Sequence, residues 1–429
     1  GLPFMKPPGK RWAGMTMRRH KEIGQILICV IIGLVIGTSL GVLGHFFSPT
    51  EPEETAVVSP PTSNQVTFRA VGDILMEEGI YDYLGSDYDF QDYFTDALPY
   101  LTGDVMLMNQ ETIIGGDDQG VKKDNYVFNT PTRVADQLVD LGFNMVSLAN
   151  NHCLDMGQSG LDHSLAYWQA QEGLITSGTY ATPEDRQTPR ILEKNGIRFG
   201  FLAYTTFTNK KWLEEDEMYK VGYSQALATR TFDEEHRAII KQEVEALRPL
   251  CDVLVVSCHW GVEGSFEVAD SQREMAAYLN ELGVDMIIGT HPHVMQPCEW
   301  IEDPESGHRT FVAYSLGNFI SSDADVDAGE ASGDAYSLSG ILGMTITKEE
   351  NGISMEDITY TPLVNHFTAE HTDYHLYPIA LYNETLASQH ARQPYSPSQF
   401  ELAAIQDLIL DVMDNGVVTL NMKGSAQDG

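Results

Sequence analysis

Five apolar runs in this 429-residue chain break off in side chains that bind metals or move protons. "AVGDILM" places Asp73 after one run, and "VMLMNQET" places Asn109 and Glu111 after the next. "MVSLANNH" delivers Asn150, Asn151 and His152, "VLVVSCHWGVE" delivers His259 and Glu263, and "MIIGTHPHV" delivers His291 and His293. Runs that are apolar throughout suit strands buried on both faces. Further strands are expected at "RFGFLAYT", "TFVAYSLGN" and "GILGMTITKE". Helices are expected at "PTRVADQLVDLG", "SGLDHSLAYWQAQEG", "HRAIIKQEVEALRP" and "DSQREMAAYLNELG". Strand–helix alternation of this kind predicts an α/β fold with central sheets flanked by helices. In such folds the site forms at the carboxyl ends of the strands, so side chains distant in sequence can converge there.

Each strand end taken alone has a plain explanation: a G-D pair is a turn, and a single histidine is a satisfied core or surface group. Their recurrence argues for one shared site. His291 and His293 form an H-x-H pair, which in an extended segment points both rings the same way. Carboxylates, an asparagine and histidines together suit a dinuclear centre of Mn, Fe, Zn or Mg type. Such a centre grips a phosphoryl oxygen and activates water. Trp260 is positioned to stack on a substrate, its bland alternative being core packing. Asp155 and Gly157 shape the loop after His152.

The formal net charge is −36, and six of the 26 basic residues fall within the first 21 positions, which carry no acid. The rest of the chain is therefore more acidic still, which excludes a nucleic-acid partner. After the basic tail (1–22) comes an apolar segment (23–47) long enough to cross a bilayer as a helix. The flanking basic residues place the N-terminus in the cytoplasm and the main domain outside the cell. Residues 48–64, rich in Pro, Ser, Thr and Glu, read as a solvated linker. The main domain is expected at 65–365. A C-terminal extension at 366–429 holds one helix, with Ser398 and Glu401 in capping-box spacing. Cys153, Cys251, Cys258 and Cys298 make no C-x-x-C pair and are expected as buried thiols. "DADVDAGEASGD" is a near-match to a calcium loop, with its glycine late and Asp334 in place of the terminal glutamate. It reads as an acidic loop beside the site.

The motifs "AVGDILM", "NQET", "FNTP", "SLANNHCLDMGQSGL", "SCHWGVE", "GTHPHVMQPCEW" and "YSLGNF" resemble the CapA family of bacterial poly-γ-glutamate capsule synthesis proteins, a branch of the calcineurin-like metallophosphoesterases. The resemblance implies a four-layer α/β/β/α sandwich behind one N-terminal transmembrane helix. It implies two divalent ions held by Asp73, Glu111, Asn151, His259, His291 and His293, with Glu111 as the bridge. His152, with Asp155 near it, would act on the leaving group. Beside these, Asn150, Trp260 and Glu263 are the candidates to face the substrate, with Glu263 also placed to substitute for a missing metal ligand. It also implies a membrane-anchored hydrolase acting on a phosphoester or anionic polymer. The alternative is a non-catalytic assembly subunit serving a membrane-bound capsule synthase. The sequence departs from the superfamily pattern in three places. Leu75 stands where a ligand histidine is usual, Glu111 is longer than the usual aspartate, and Thr290 replaces a histidine common in CapA proteins.

Overall fold

Each apolar run read as a strand in the main domain forms one, and these strands fall into two large sheets, with Lys122–Asp124 and Val127–Asn129 pairing separately as a two-stranded ribbon. The structure, a computed structural model, describes residues 64–423 except 125, 211 and 372. The expected basic tail, membrane segment and nearly all of the linker lie outside the described residues. Among those described, no helix is long and apolar enough to cross a membrane.

One sheet carries Gln65–Ile74, Val105–Asn109, Met145–Ser147 and Ile175–Ser177 side by side and parallel. On its other flank Leu338–Glu349, Gly352–Phe367 and Tyr374–Pro378 continue antiparallel. The second sheet runs parallel through Ile197–Thr205, Val253–His259, Met286–Thr290 and Arg309–Leu316. Antiparallel strands Ile191–Lys194 and Met295–Glu302 close its two edges.

Side-chain alternation sorts these strands into three cores. Val253 and Val255 join Phe68, Leu107, Phe199, Ile288 and Ala313 in a core drawn from both sheets. Their neighbours Leu254 and Val256 point the other way, onto Ile240 and Val244 of helix Glu234–Leu247 and Met275 and Leu279 of helix Asp270–Glu281. On the first sheet, Met106 and Met108 pack with Val134 and Leu138 of helix Thr132–Asp140 and Trp168 of helix Gly157–Gln169. Fully burying one such side chain contributes roughly 1.5–3 kcal/mol. The fold is thus mixed α/β with two large sheets and outer helices.

Two glycines permit backbones to approach where the site begins. A Cβ on Gly72 would lie 1.8 Å from the Gly317 carbonyl oxygen, and one on Gly289 would lie 1.9 Å from that of Tyr314. No other residue fits at either position without moving a strand.

The C-terminal region departs from the expected layout. The boundary at 365 falls inside strand Gly352–Phe367, and Tyr374–Pro378 pairs with that strand. Helix Leu402–Met413 buries Ile405, Ile409 and Met413 in the inter-sheet core, so it packs on the main domain. The expected capping box is not made. Gln399 and Phe400 take left-handed φ of 57° and 54° just before the helix. Ser398 Oγ turns to Asp334 Oδ2 at 3.4 Å. The acidic near-calcium loop ends in helix Ala331–Tyr336, where the Asp334 carboxylate is buried against Arg392 rather than free for a cation. Cys153, Cys251, Cys258 and Cys298 are buried and unbridged.

Candidate metal centre

The parallel strands bring Asp73, Glu111, Asn151, His259, His291 and His293 to one edge, all buried. Asp73 is the next-to-last residue of the first strand, and its neighbours are held by register. Asp73 sits opposite Asn109 and Asn318, and His259 sits opposite Thr290 and Thr205. Asn109 Nδ2 donates to Asp73 Oδ1 at 2.7 Å, and the His291 amide donates to Asp73 Oδ2 at 3.2 Å.

His291 and His293 do not lie in an extended segment. Their φ angles are 94° and 60°, in the left-handed region that non-glycine residues seldom adopt. The expected period-2 alignment is therefore not what aims the rings. A kinked turn after Thr290 does so, leaving the ring centroids 5.7 Å apart at 64°. Strain of this kind costs of order 1–3 kcal/mol per residue and concentrates at functional sites.

Ligand-competent atoms of Glu111, His291 and His293 all lie within 4.8 Å of one another, as do those of Asp73, Glu111 and His259. Glu111 belongs to both sets. Its two carboxylate oxygens are buried without a hydrogen-bond partner, as is His291 Nδ1. His259 Nε2 meets Asn151 Oδ1 at 3.1 Å and Glu111 Oε1 at 3.5 Å. Lone pairs converging without enough protons to share are costly in a dry site. They are what a cation-binding donor set looks like.

The electrostatics follow from this crowding. Burial, with Asp73 alongside, pushes the Glu111 carboxyl well above the usual carboxylate range. Burial also keeps His259 far below its ordinary value and His291 down at about 3, each helped by the neighbouring histidines. Burial opposes the charged form of His293 too, but Glu111 and Asp73 overcome it and hold that ring at about 10. Its Nδ1 donates to Asn318 Oδ1 at 2.9 Å and lies 3.2 Å from Asp73 Oδ2.

His152 sits apart from the two ligand sets. Its Nδ1 meets Asp155 Oδ2 at 2.8 Å, and that oxygen also accepts from the Phe128 amide at 2.8 Å. Asn209 Nδ2 lies 3.4 Å from His152 Nε2. Asp155 thus orients a histidine.

The residues expected to face substrate are placed differently. Asn150 is buried and structural: its Nδ2 donates to the Gln110 carbonyl at 2.9 Å and its Oδ1 accepts from the His152 amide at 3.1 Å. Trp260 is in the core, with Nε1 donating to the Tyr314 carbonyl at 3.0 Å and its ring stacked on Tyr314. It offers no face to a substrate, because the strand register turns it away from the edge where His259 points. Glu263 alone reaches the opening. Its side chain is 55% exposed, with Oε1 4.0 Å from His291 Nε2. Leu75 is buried and apolar.

Sequence reasoning assigned no role to Asn318, Asn209 or Thr290 within the site. Thr290 Oγ1 sits 3.0 Å from His259 Nδ1, so this threonine orients a neighbouring ring. The one signal available for Asn318 was its place in "YSLGNF", directly after an apolar run like the other site residues.

A family model described as bacterial capsule synthesis protein PGA_cap matches residues 67–323, more than half of the chain. The PGA biosynthesis protein CapA of Bacillus subtilis is 25% identical over 271 residues, covering 62% of this chain and 66% of that protein. The capsule biosynthesis protein CapA of Bacillus anthracis is 26% identical over 283 residues, covering 62% of each. The chain thus spans a little under two thirds of the length of these relatives. Among solved structures, the calcineurin-like phosphoesterase YfkN of Bacillus subtilis is similar with a TM-score of 0.36 and 14% identity. That alignment covers 70% of this chain and 90% of the other.

Proposed function

Since the chain belongs to the bacterial capsule synthesis protein PGA_cap family, we propose that it is a CapA-like hydrolase of capsule or poly-γ-glutamate biosynthesis with a dinuclear metal site. The observation that carries this reading is Glu111, whose two buried, unpartnered oxygens are shared by two ligand sets. We read the helix–sheet–sheet–helix layering as the four-layer metallophosphatase arrangement. Asp73, Glu111 and His259, joined by Asn151, would hold one divalent ion, and Glu111, His291 and His293 the other. Mn, Fe or Zn suits this mixed oxygen and nitrogen set. When bound, such ions supply Lewis acidity to a phosphoryl oxygen and lower the pKa of water.

The chain's own groups do the remaining work. Asp155 accepts the Nδ1 proton of His152, so the other ring nitrogen is the one placed to hand a proton to a leaving group. Asn209 Nδ2 lies 3.4 Å from that nitrogen and can donate to it only after the proton has left. The buried aliphatic and aromatic surround keeps the edge dry, which strengthens each of these contacts. The apolar segment 23–47 would anchor the protein with its main domain outside the cell. Its partners there would be membrane-bound synthase subunits and an anionic polymer or phosphoester.

A second reading is favoured by one observation. Leu75 is a buried apolar residue where a ligand histidine is usual, which fits an assembly subunit of a capsule synthase that has kept the scaffold without the chemistry. The deciding experiment is metal content by elemental mass spectrometry on the chain and on His291→Ala, with hydrolysis of an aryl phosphate ester measured in parallel. About two equivalents of metal, with hydrolysis lost in the variant, is the expected result for a two-metal hydrolase. Metal near zero and no hydrolysis would overturn it in favour of the assembly subunit.

A further inference from the structure

The family match stops at residue 323, yet residues beyond it finish the wall of the metal centre. The Tyr336 ring lies 5.7 Å from that of His293. The Tyr336 carbonyl accepts from Asn318 Nδ2 at 3.3 Å. That bond fixes the Asn318 amide, so Oδ1 faces His293 Nδ1 and must meet a proton there. His293 Nε2 is thereby left toward Glu111, 3.7 Å away.

We infer that Arg392 is a positioning residue that holds this wall, and through it His293, in ligand geometry. Arg392 is fully buried, and each of its guanidinium nitrogens is engaged. Nε donates to Asp334 Oδ1 at 2.9 Å. Nη1 donates to the carbonyls of Ala324, at 3.2 Å, and Val326. Nη2 donates to those of Asp327, at 3.0 Å, and Glu330, at 3.1 Å. These contacts use all five donors of a guanidinium, and they draw the segment from Ala324 to Asp334 around one side chain. Gly333 makes room for it: a Cβ there would sit 1.9 Å from Arg392 Nη2.

A second route starts from the backbone of the same residue and does not depend on its guanidinium. The Arg392 amide donates to His390 Nδ1 at 3.0 Å, so His390 Nε2 carries the proton and donates to the Asn365 carbonyl at 2.8 Å. Asn365 Nδ2 donates to the Asn318 carbonyl at 2.8 Å. Both routes end on Asn318, the residue that sets the His293 ring. Outer partners that orient a ligand histidine in this way alter metal affinity by roughly 10–100-fold when removed.

The test compares the full chain with R392Q, the milder D334N, and R186Q as a control. R186Q removes a half-buried arginine pair, Arg186–Glu243, joined at 2.6 Å, which touches no site residue. The first readout is the slowly exchanging downfield proton resonance of His293 Nδ1–H in the metal-free chain, assigned by its loss in H293Q. The second is a cobalt(II) titration followed by ligand-field absorption. The wild type and R186Q should keep the resonance. R392Q should lose it and bind cobalt about 10-fold more weakly, with D334N shifted the same way to a smaller degree. R392K should regain only part of the affinity, because lysine is a point charge with three donors. Unchanged resonance and cobalt binding in R392Q and D334N would overturn the inference. So would equal losses in R186Q, which would mark general destabilisation. The cobalt arm rests on the metal reading above and the resonance does not, so a wild type that takes up no cobalt sinks that reading while the resonance still judges Arg392.

Discussion

His291 and His390 are both buried rings that burial depresses to about 3, yet their surroundings differ. His390 has a partner on each nitrogen, the Arg392 amide on one and the Asn365 carbonyl on the other. Its neighbour His366 pairs with the Tyr382 hydroxyl at 2.8 Å and leaves only Nε2 without a partner. Around these two rings lie tyrosines and phenylalanines, and among the described residues no metal-holding trio forms there. At the strand edge, histidines instead meet two buried carboxylates and unpaired lone pairs accumulate. Burial alone thus does not mark a histidine as a ligand. Shared, unsatisfied acceptors do.

That contrast breaks most sharply at Glu111. Glu111→Gln should abolish metal uptake and hydrolysis, since loss of a mere outer partner already weakens binding about 10–100-fold. His366→Gln should leave metal content unchanged by elemental analysis. Equal metal loss in both variants would erase the distinction. Next in size, His152→Ala should lower kcat roughly 10²–10⁴-fold while metal content stays at the wild-type level. Parallel loss of metal would instead make His152 a ligand.

The aromatic cluster has its own pH signature. Unfolded histidines protonate near 6.5, while folded His366 and His390 stay neutral down to about 4 and about 3. The unfolded chain therefore takes up protons first, and stability falls as pH drops from 6.5 toward 4, by up to about 3 kcal/mol per ring. Denaturant titrations of metal-free protein should show this slope, and His366→Gln should flatten it. A slope unaltered in that variant would place the titrating groups elsewhere. Smallest of all, Trp260→Phe should cost about 1 kcal/mol through the hydrogen bond to Tyr314 and leave KM unchanged. A raised KM would return Trp260 to the substrate face.

Much of this architecture was legible because its strands are continuous apolar runs. Val253–His259 and Met286–Thr290 announce themselves by composition, and their last residues announce the site. Half-covered strands were harder to see. Met295–Glu302 holds a proline and two glutamates, and Gly352–Phe367 is polar over its first half, because neither is covered on both faces. The H-x-H residues were found, but their geometry was not. A left-handed φ is imposed by the turn around them and leaves no mark in residue type. Asn318, Asn365 and Asn209 escaped for another reason. An amide acts by orienting others, and its orientation exists only once the partners are in place. The C-terminal boundary failed because a change in composition near Pro362 coincides with a strand that continues across it.

The left-handed turn at positions 291 and 293 has a consequence for laboratory evolution. Left-handed backbone is tolerated by glycine and asparagine and resisted by valine and isoleucine. A library randomised at these two positions and selected only for folded yield will therefore be sorted by backbone conformation before chemistry has any say. Glycine and asparagine variants should be enriched over histidine itself. Such a screen would rank the native residues as dispensable, so the fitness landscape here must be mapped with a selection that reads the ion or the reaction.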